Sequence, residues 1–335
     1  MASAAASHGS LLRFVSFPER PFPLPIFYSR SIRRELVGQR PDAVVVDSIA
    51  ADYFALGLAR TELGVPLIGM LHQPPGGIDA GPLYRWIQAR LDRLTYARAV
   101  HLLVASESLE ALLRDSTLST IPRTVVAPGR DVSGPVERSP EDLRKGRKIA
   151  LLCVGNWMPR KGILDLLEAV ARTPPDSATL HFVGDTQADR GYGRRVRQRL
   201  EDRSLKKRVI VHGKLPKERV AALYGGSDLF ALPSRREPYG TVYGEAMAAG
   251  VPVLGWDAGN LPFLASDGSE GFVLPEGDIP GLASAISRLA EDDGLRKEMA
   301  RRALERAQSL PTWDETASLF FASIRNVVQA GMISS

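Results

Sequence analysis

Short apolar runs rich in β-branched residues alternate along this chain with segments whose apolar positions recur every three or four residues. Runs of the first kind fall at residues 11–17, 43–47, 66–72, 99–105 and 124–127, then at 148–154, 179–184, 209–213, 229–233, 252–256 and 271–274. Each predicts a strand, because a side chain branched at Cβ packs better on an extended backbone than on a helix. Segments of the second kind predict helices over 51–63 and 83–97, then over 162–172, 189–203, 217–224 and 240–249. Pro216 is placed to open one of them, since its missing N–H costs nothing in a first turn. The run from Ile149 to Val154 is apolar at every position, as a strand buried on both faces requires. The alternation predicts an α/β fold of parallel sheets with helices on both sides. From Ile279 onward only helical spacing recurs.

Residues 129–148 break this rhythm with Pro, Ser, Gly and charge, and read as a linker. Two doubly wound, Rossmann-like domains follow, over 1–140 and 147–312, with 313–335 a C-terminal helix packing back on the first. Such sheets take ligands at the carboxyl ends of their strands, and two of them facing each other enclose a cleft.

Composition narrows the class. With 44% hydrophobic and 24% charged residues, 335 residues make a globular chain with ample core. A single cysteine excludes an internal disulfide and a multi-cysteine metal site, and suits a reducing compartment. No apolar run approaches the roughly 20 residues that span a bilayer, and Arg13 and Ser16 spoil 11–17 as a secretory signal. A cytoplasmic location is expected, with peripheral contact at the inner face of a membrane left open. The charge of +5 is unevenly spread. Arg30, Arg33, Arg34 and Arg40 cluster early, and 190–208 gathers Arg194, Arg195, Arg197, Arg199, Arg203, Lys206 and Lys207. Such clusters are either solvated faces or seats for anionic headgroups. Nucleic acid is not expected, because only Tyr192 offers a stacking ring among these arginines.

The chemistry concentrates in two strand–loop–helix segments. In the first, a strand ends at Pro233, a turn follows through Glu237, Pro238, Tyr239 and Gly240, and a helix of small residues runs from Thr241 to a stop at Gly250. Backbone N–H groups and a positive helix end suit a phosphate there. Glu237 and Glu245 could accept hydrogen bonds from vicinal hydroxyls, or simply stabilise the helix dipole as acids near its start. In the second, Gly155 lets the chain turn close to a ligand, Asn156 follows it, and Arg160 and Lys161 stand where a helix begins. Cations oppose the dipole at that end, which argues against a merely exposed pair. His72 closes the strand at 66–72, where a lone histidine is often a structural hydrogen-bonder.

Glu237, Pro238, Tyr239 and Gly240 followed by Glu245 resemble the E-x7-E signature of glycosyltransferase family 4, whose members are retaining enzymes of the GT-B fold. The resemblance runs from about residue 148 to 313. It implies that Glu237 contacts donor-sugar hydroxyls, that Glu245 contacts the ribose, and that the backbone from Tyr239 to Thr241 lies along sugar and diphosphate. It also implies that Lys161 grips the diphosphate, that Gly213, Lys214 and Leu215 flank the base, and that His72 reaches toward the sugar. The implied catalytic set is His72, Glu237 and Lys161. Family members usually open with a strand and a glycine-rich turn and place several βα units before the equivalent of 43–47, whereas here that strand comes almost at once and Met1 to Ser10 holds no such turn, so the first domain is shortened. Either the chain is a truncated form, or the domain has lost its first units, or another chain completes it; an exposed sheet edge would favour association, as an oligomer, or instability. Two positions also depart from the family. Asn156 stands where its arginine is common, with Arg160 a possible substitute, and Phe263 stands where a glutamate is common. The implied reaction moves a hexose from a nucleoside-diphosphate sugar to an unidentified hydroxyl acceptor (sugar, lipid or small molecule), without metal or other cofactor. A non-catalytic sugar-nucleotide-binding subunit and an epimerase or hydrolase on the same fold are the rival readings.

Overall fold

Parallel strands need a crossover between each pair, and the chain supplies one as a helix nearly every time. The structure is a computed structural model that describes residues 1–16, 29–55, 63–79, 81–130 and 142–333. The chain divides into two compact units, Met1–Gly129 together with Pro311–Ser335, and Arg130–Leu310.

In the first unit β1 (Val44–Asp47), β2 (Leu67–Leu71), β3 (His101–Val104) and β4 (Arg123–Val125) form a parallel sheet in that order. Its helices are α1 (Ser29–Gln39), α2 (Ala51–Phe54), α3 (Pro82–Tyr96) and α4 (Glu107–Arg114). Neither α1 nor α4 is among the helices that the apolar spacing predicts. Ser106 opens α4, its Oγ accepting from Leu109 N–H at 3.2 Å. Two expectations need correction. Leu11 to Ser16 forms no strand, because Leu12 and Val15 pack on the core without backbone pairing while Leu11 and Phe14 face solvent; Phe17 lies outside the described residues. The helix predicted over 51–63 is α2, which stops at Phe54; 56–62 lie outside the described residues. Of the linker at 129–148, residues 131–141 lie outside them too.

The second unit holds β5 (Ile149–Val154), β6 (Ala178–Val183), β7 (Val209–Gly213), β8 (Leu229–Ala231), β9 (Val253–Trp256) and β10 (Gly271–Leu274). Around them lie α5 (Ile163–Arg172), α6 (Arg190–Leu200), α7 (Lys217–Gly226), α8 (Thr241–Ala248), α9 (Leu261–Leu264), α10 (Ile279–Glu291) and α11 (Asp293–Gln308). Every strand pair is parallel, and the order is β10-β9-β8-β5-β6-β7. The chain winds outward from β5 to β7, then returns to lay β8 on the other side of β5. Winding therefore reverses between β5 and β8, where the loops diverge and open a crevice at the carboxyl edge. Leu151, Phe182, Phe230, Leu254 and Trp256 are fully enclosed in the core. Part of the basic run at 190–208 is structural. Arg199 pairs with Glu168 at 3.0 Å, and the buried Arg208 donates to Thr173 Oγ1 at 2.6 Å and to Thr173 O at 3.2 Å.

After the second unit the chain returns to the first as α12 (Trp313–Ile333). Ala317, Phe320 and Phe321 cover one face of the β1–β4 sheet with Ile68, Leu103 and Val126. Ala5, from the short turns at the start of the chain, joins them. No described helix is long and apolar enough to cross a membrane.

Candidate active site

Because β5 and β8 are paired neighbours, the loops leaving their carboxyl ends run side by side. Backbone bonds zip them together: Arg235 N–H donates to Arg160 O at 2.7 Å, and Ser234 Oγ donates to the same carbonyl at 3.1 Å. Gly162, at φ 66°, starts α5 where a Cβ would stand 2.0 Å from Pro233 O. Only glycine fits both the left-handed turn and that approach.

The zipper brings Lys161 and Glu237 into contact. The Lys161 ammonium donates to Glu237 Oε2, with the two residues only 8% and 9% exposed. Arg160 Nη1 donates to Arg236 O at 3.0 Å and stands 3.9 Å from Glu237 Oε2. Taking two charges out of water costs several kcal/mol per ion, so a nearly buried pair persists only where each charge neutralises the other. Here it lies at the reversal of strand order, where a doubly wound sheet takes its ligand.

The Glu237 loop is clamped from behind. Asn260 N–H donates to Glu237 O at 2.9 Å and Asn260 Nδ2 to Tyr239 O at 2.8 Å. Gly259, at φ 59°, packs so closely that a Cβ would sit 2.7 Å from Glu237 N. Pro238 and Tyr239 are half-buried, and the buried Gly240 precedes the exposed Thr241 that begins α8. Gly240 has no side chain with which to cap that helix, so its first N–H groups turn toward a ligand or solvent. Glu245 is exposed on α8 and sets its charge near the Tyr224 hydroxyl of α7, which donates to Val242 O at 3.3 Å. Burial first, and the Glu245 charge second, push that phenol well above its ordinary pKa.

Asn156 and Lys214 form a separate group around Asp185. Asp185 N–H donates to Asn156 Oδ1 at 2.9 Å, and Lys214 Nζ stands 2.8 Å from Asp185 Oδ2. The Lys214 bond, with one from Gln187 N–H, holds the Asp185 carboxyl below its usual range. Gly155 N–H donates to Val183 O at 2.8 Å, Gly184 N–H donates to Gly213 O at 2.9 Å, and Leu215 packs on the core. The residues predicted at 155–245 therefore line the carboxyl edge of one sheet as three contact groups: Lys161–Arg160–Glu237, Asn156–Asp185–Lys214 and Glu245–Tyr224. Ser234, Asp185, Tyr224 and Asn260 are single polar residues whose partners the sequence does not show. Position alone carried a signal for two of them: Asp185 follows a strand end and Asn260 follows a glycine.

His72 belongs to the first unit, just past β2. Its Nε2 lies 2.9 Å from Asp47 Oδ2 at the end of β1, and its N–H donates to Ser48 Oγ at 3.3 Å. Burial pushes the Asp47 carboxyl up, but bonds from His72 and Ile49 N–H outweigh it and leave the group below its ordinary value. The carboxylate fixes the imidazole's orientation, a partner that the sequence shows only as an acid ending a strand.

Residues 136–306, about half of the chain, match the family described as glycosyl transferases group 1, and residues 3–129 match the glycosyl transferase 4-like domain. The chain belongs to the group 1 glycosyltransferases. Glycogen synthase of Mycobacterium tuberculosis is 30% identical over an alignment of 299 residues that covers 83% of this chain and 67% of that protein. D-inositol 3-phosphate glycosyltransferase of Corynebacterium glutamicum is 30% identical over 207 residues, covering 58% of this chain and 49% of that protein. The chain thus matches about half the length of the corynebacterial relative. Sucrose-phosphate synthase from Thermosynechococcus elongatus superposes with a TM-score of 0.78 at 22% identity, over 96% of this chain and 83% of that one. Anabaena HepE in complex with UDP-glucose superposes at 0.75 and 21% identity, over 97% and 88%. The fold of this group 1 glycosyltransferase is accordingly GT-B, two Rossmann-like domains with parallel sheets.

Proposed function

We propose that this chain transfers a hexose from a nucleoside-diphosphate sugar to a hydroxyl acceptor with retention of configuration. The observation that carries the reading is the nearly buried Lys161–Glu237 pair beside the Gly240 end of α8, at the reversal of strand order. A carboxylate and a cation held together at that point match a ligand that has both hydroxyls and phosphate. Glu237 accepts hydrogen bonds from the sugar. Lys161, Arg160 and the start of α8 take up the charge that grows on the outer phosphate as the anomeric C–O bond breaks. Glu245, near Tyr224, accepts from the ribose, while Gly155, Gly213 and Leu215 form the close backbone wall beside the base. The acceptor oxygen attacks the face that the phosphate leaves, and its proton passes to the departing phosphate oxygen. His72, oriented by Asp47, is assigned to the donor sugar. Side-chain cations and backbone dipoles neutralise the diphosphate in this scheme, and no metal takes part. The UDP-glucose held by the Anabaena structure supports a nucleotide-sugar donor.

A thermal-shift panel of uridine- and guanosine-diphosphate sugars tests donor binding. A donor at about 100 times its Kd adds roughly 2.7 kcal/mol of stability, and no shift with any of them would overturn the reading. Labelled donor with a mixed acceptor extract then separates transfer from binding alone: a labelled product supports transfer, and intact donor under saturation rejects it.

A further inference from the structure

Helix α3 turns outward what a surface helix normally hides. Its inward positions are Ala89, Asp92, Thr95 and Tyr96, all buried, and two of these are polar. Leu83, Trp86, Arg90, Leu94 and Ala97 recur at helical spacing on the opposite side. Leu83 is 72% exposed and Trp86 54%. The Arg90 guanidinium lies 4.1 Å from the Trp86 ring centroid, and Arg93 and Arg98 are exposed beside it. The helix has one carboxylate, Asp92, which points inward and accepts the Gly76 N–H at 2.7 Å. The outward face is thus apolar, aromatic and cationic, with no acid.

We propose that α3 docks the first unit on an anionic lipid surface, lying in the plane of the headgroups. Fifteen residues are too few to span a bilayer. Tryptophan and leucine set between arginines, however, fit the boundary where an apolar layer meets phosphate. Charge decides among the occupants. A second copy would set arginine against arginine, whereas anionic headgroups complement every charge on the face. This surface differs from both basic clusters that stand out in the sequence, and it holds whether or not the chain transfers sugar.

Vesicle flotation with the full chain tests it, comparing phosphatidylglycerol–phosphatidylcholine vesicles with phosphatidylcholine alone. The chain is expected to float with the anionic vesicles and to detach as salt rises. Leu83→Ser with Trp86→Ser should weaken that binding at least about tenfold, and Arg90→Gln with Arg93→Gln roughly thirtyfold. An unchanged unfolding midpoint and circular dichroism spectrum show that each variant is folded, as expected for changes at exposed positions. Three results would overturn the proposal: wild-type chain that stays unbound with anionic vesicles, a Leu83→Ser/Trp86→Ser chain that floats as well as wild type, or a dimer formed without lipid that this double substitution dissolves.

Discussion

At the scale of single residues, the chemistry rests on charges that cannot be removed one at a time. Lys161 and Glu237 are nearly buried and bonded to each other. Among the described residues Lys161→Met leaves the carboxylate with Arg160 as its cation, 3.9 Å away, and should lower stability by about 3–5 kcal/mol in a denaturant titration. Adding Glu237→Gln should restore most of that loss, because the uncompensated charge disappears; additive losses would show that the two side chains are not coupled. Glu245 is different, exposed with its charge near the Tyr224 hydroxyl, so Glu245→Gln should leave folding intact. It should weaken donor binding about 10- to 100-fold by titration, and near-native affinity would remove Glu245 from the site. The two glutamates and Lys161 are legible in the sequence because they belong to dense strings of glycine, proline and charge. Asn260, Ser234 and Tyr224 are not, because a lone polar residue acquires a role only from the loop that folds against it.

At the scale of elements, the site consists of two strand–loop–helix units held together by close backbone contact. Gly162 is the point of closest approach, with Pro233 O where a Cβ would go. Gly162→Ala should therefore cost about 1–3 kcal/mol in thermal unfolding and reduce the donor-induced shift, since Lys161 and Glu237 sit on the loops that would part. An alanine chain of unchanged stability and donor response would show that the loops are not locked there. Most strands were legible, because runs such as Ile149 to Val154 have no polar position and admit only a doubly buried strand. Residues 11–16 show the limit of that signal. Their apolar side chains find cover without pairing, and periodicity cannot distinguish burial by a strand from burial by an irregular segment.

At the scale of the whole molecule, the first unit carries a buried acid that no motif announces. Burial pushes Asp92 up to about 7 from 3.8, and among the described residues its Oδ1 has no hydrogen-bond partner. Between those two pH values the folded chain keeps a proton that the unfolded chain has lost. The contribution of Asp92 to stability should therefore fall as pH rises from 3.8 to about 7, by about 1.4 kcal/mol per unit. Asp92→Asn, which can still accept the Gly76 N–H, should remove that slope in denaturant titrations across the range; parallel curves for both chains would contradict it. The amino-acid sequence by itself determined the alternation of strands and helices, the parallel α/β class and the two loops rich in glycine and charge. These follow from side-chain periodicity and backbone preference, which are local. Only the tertiary structure decided that β8 returns beside β5, that Glu237 meets Lys161, that Asn156 turns to Asp185, and that α3 shows its tryptophan to solvent. Each depends on which elements become neighbours, and neighbourhood is set by burying whole faces together, a property that no single segment carries.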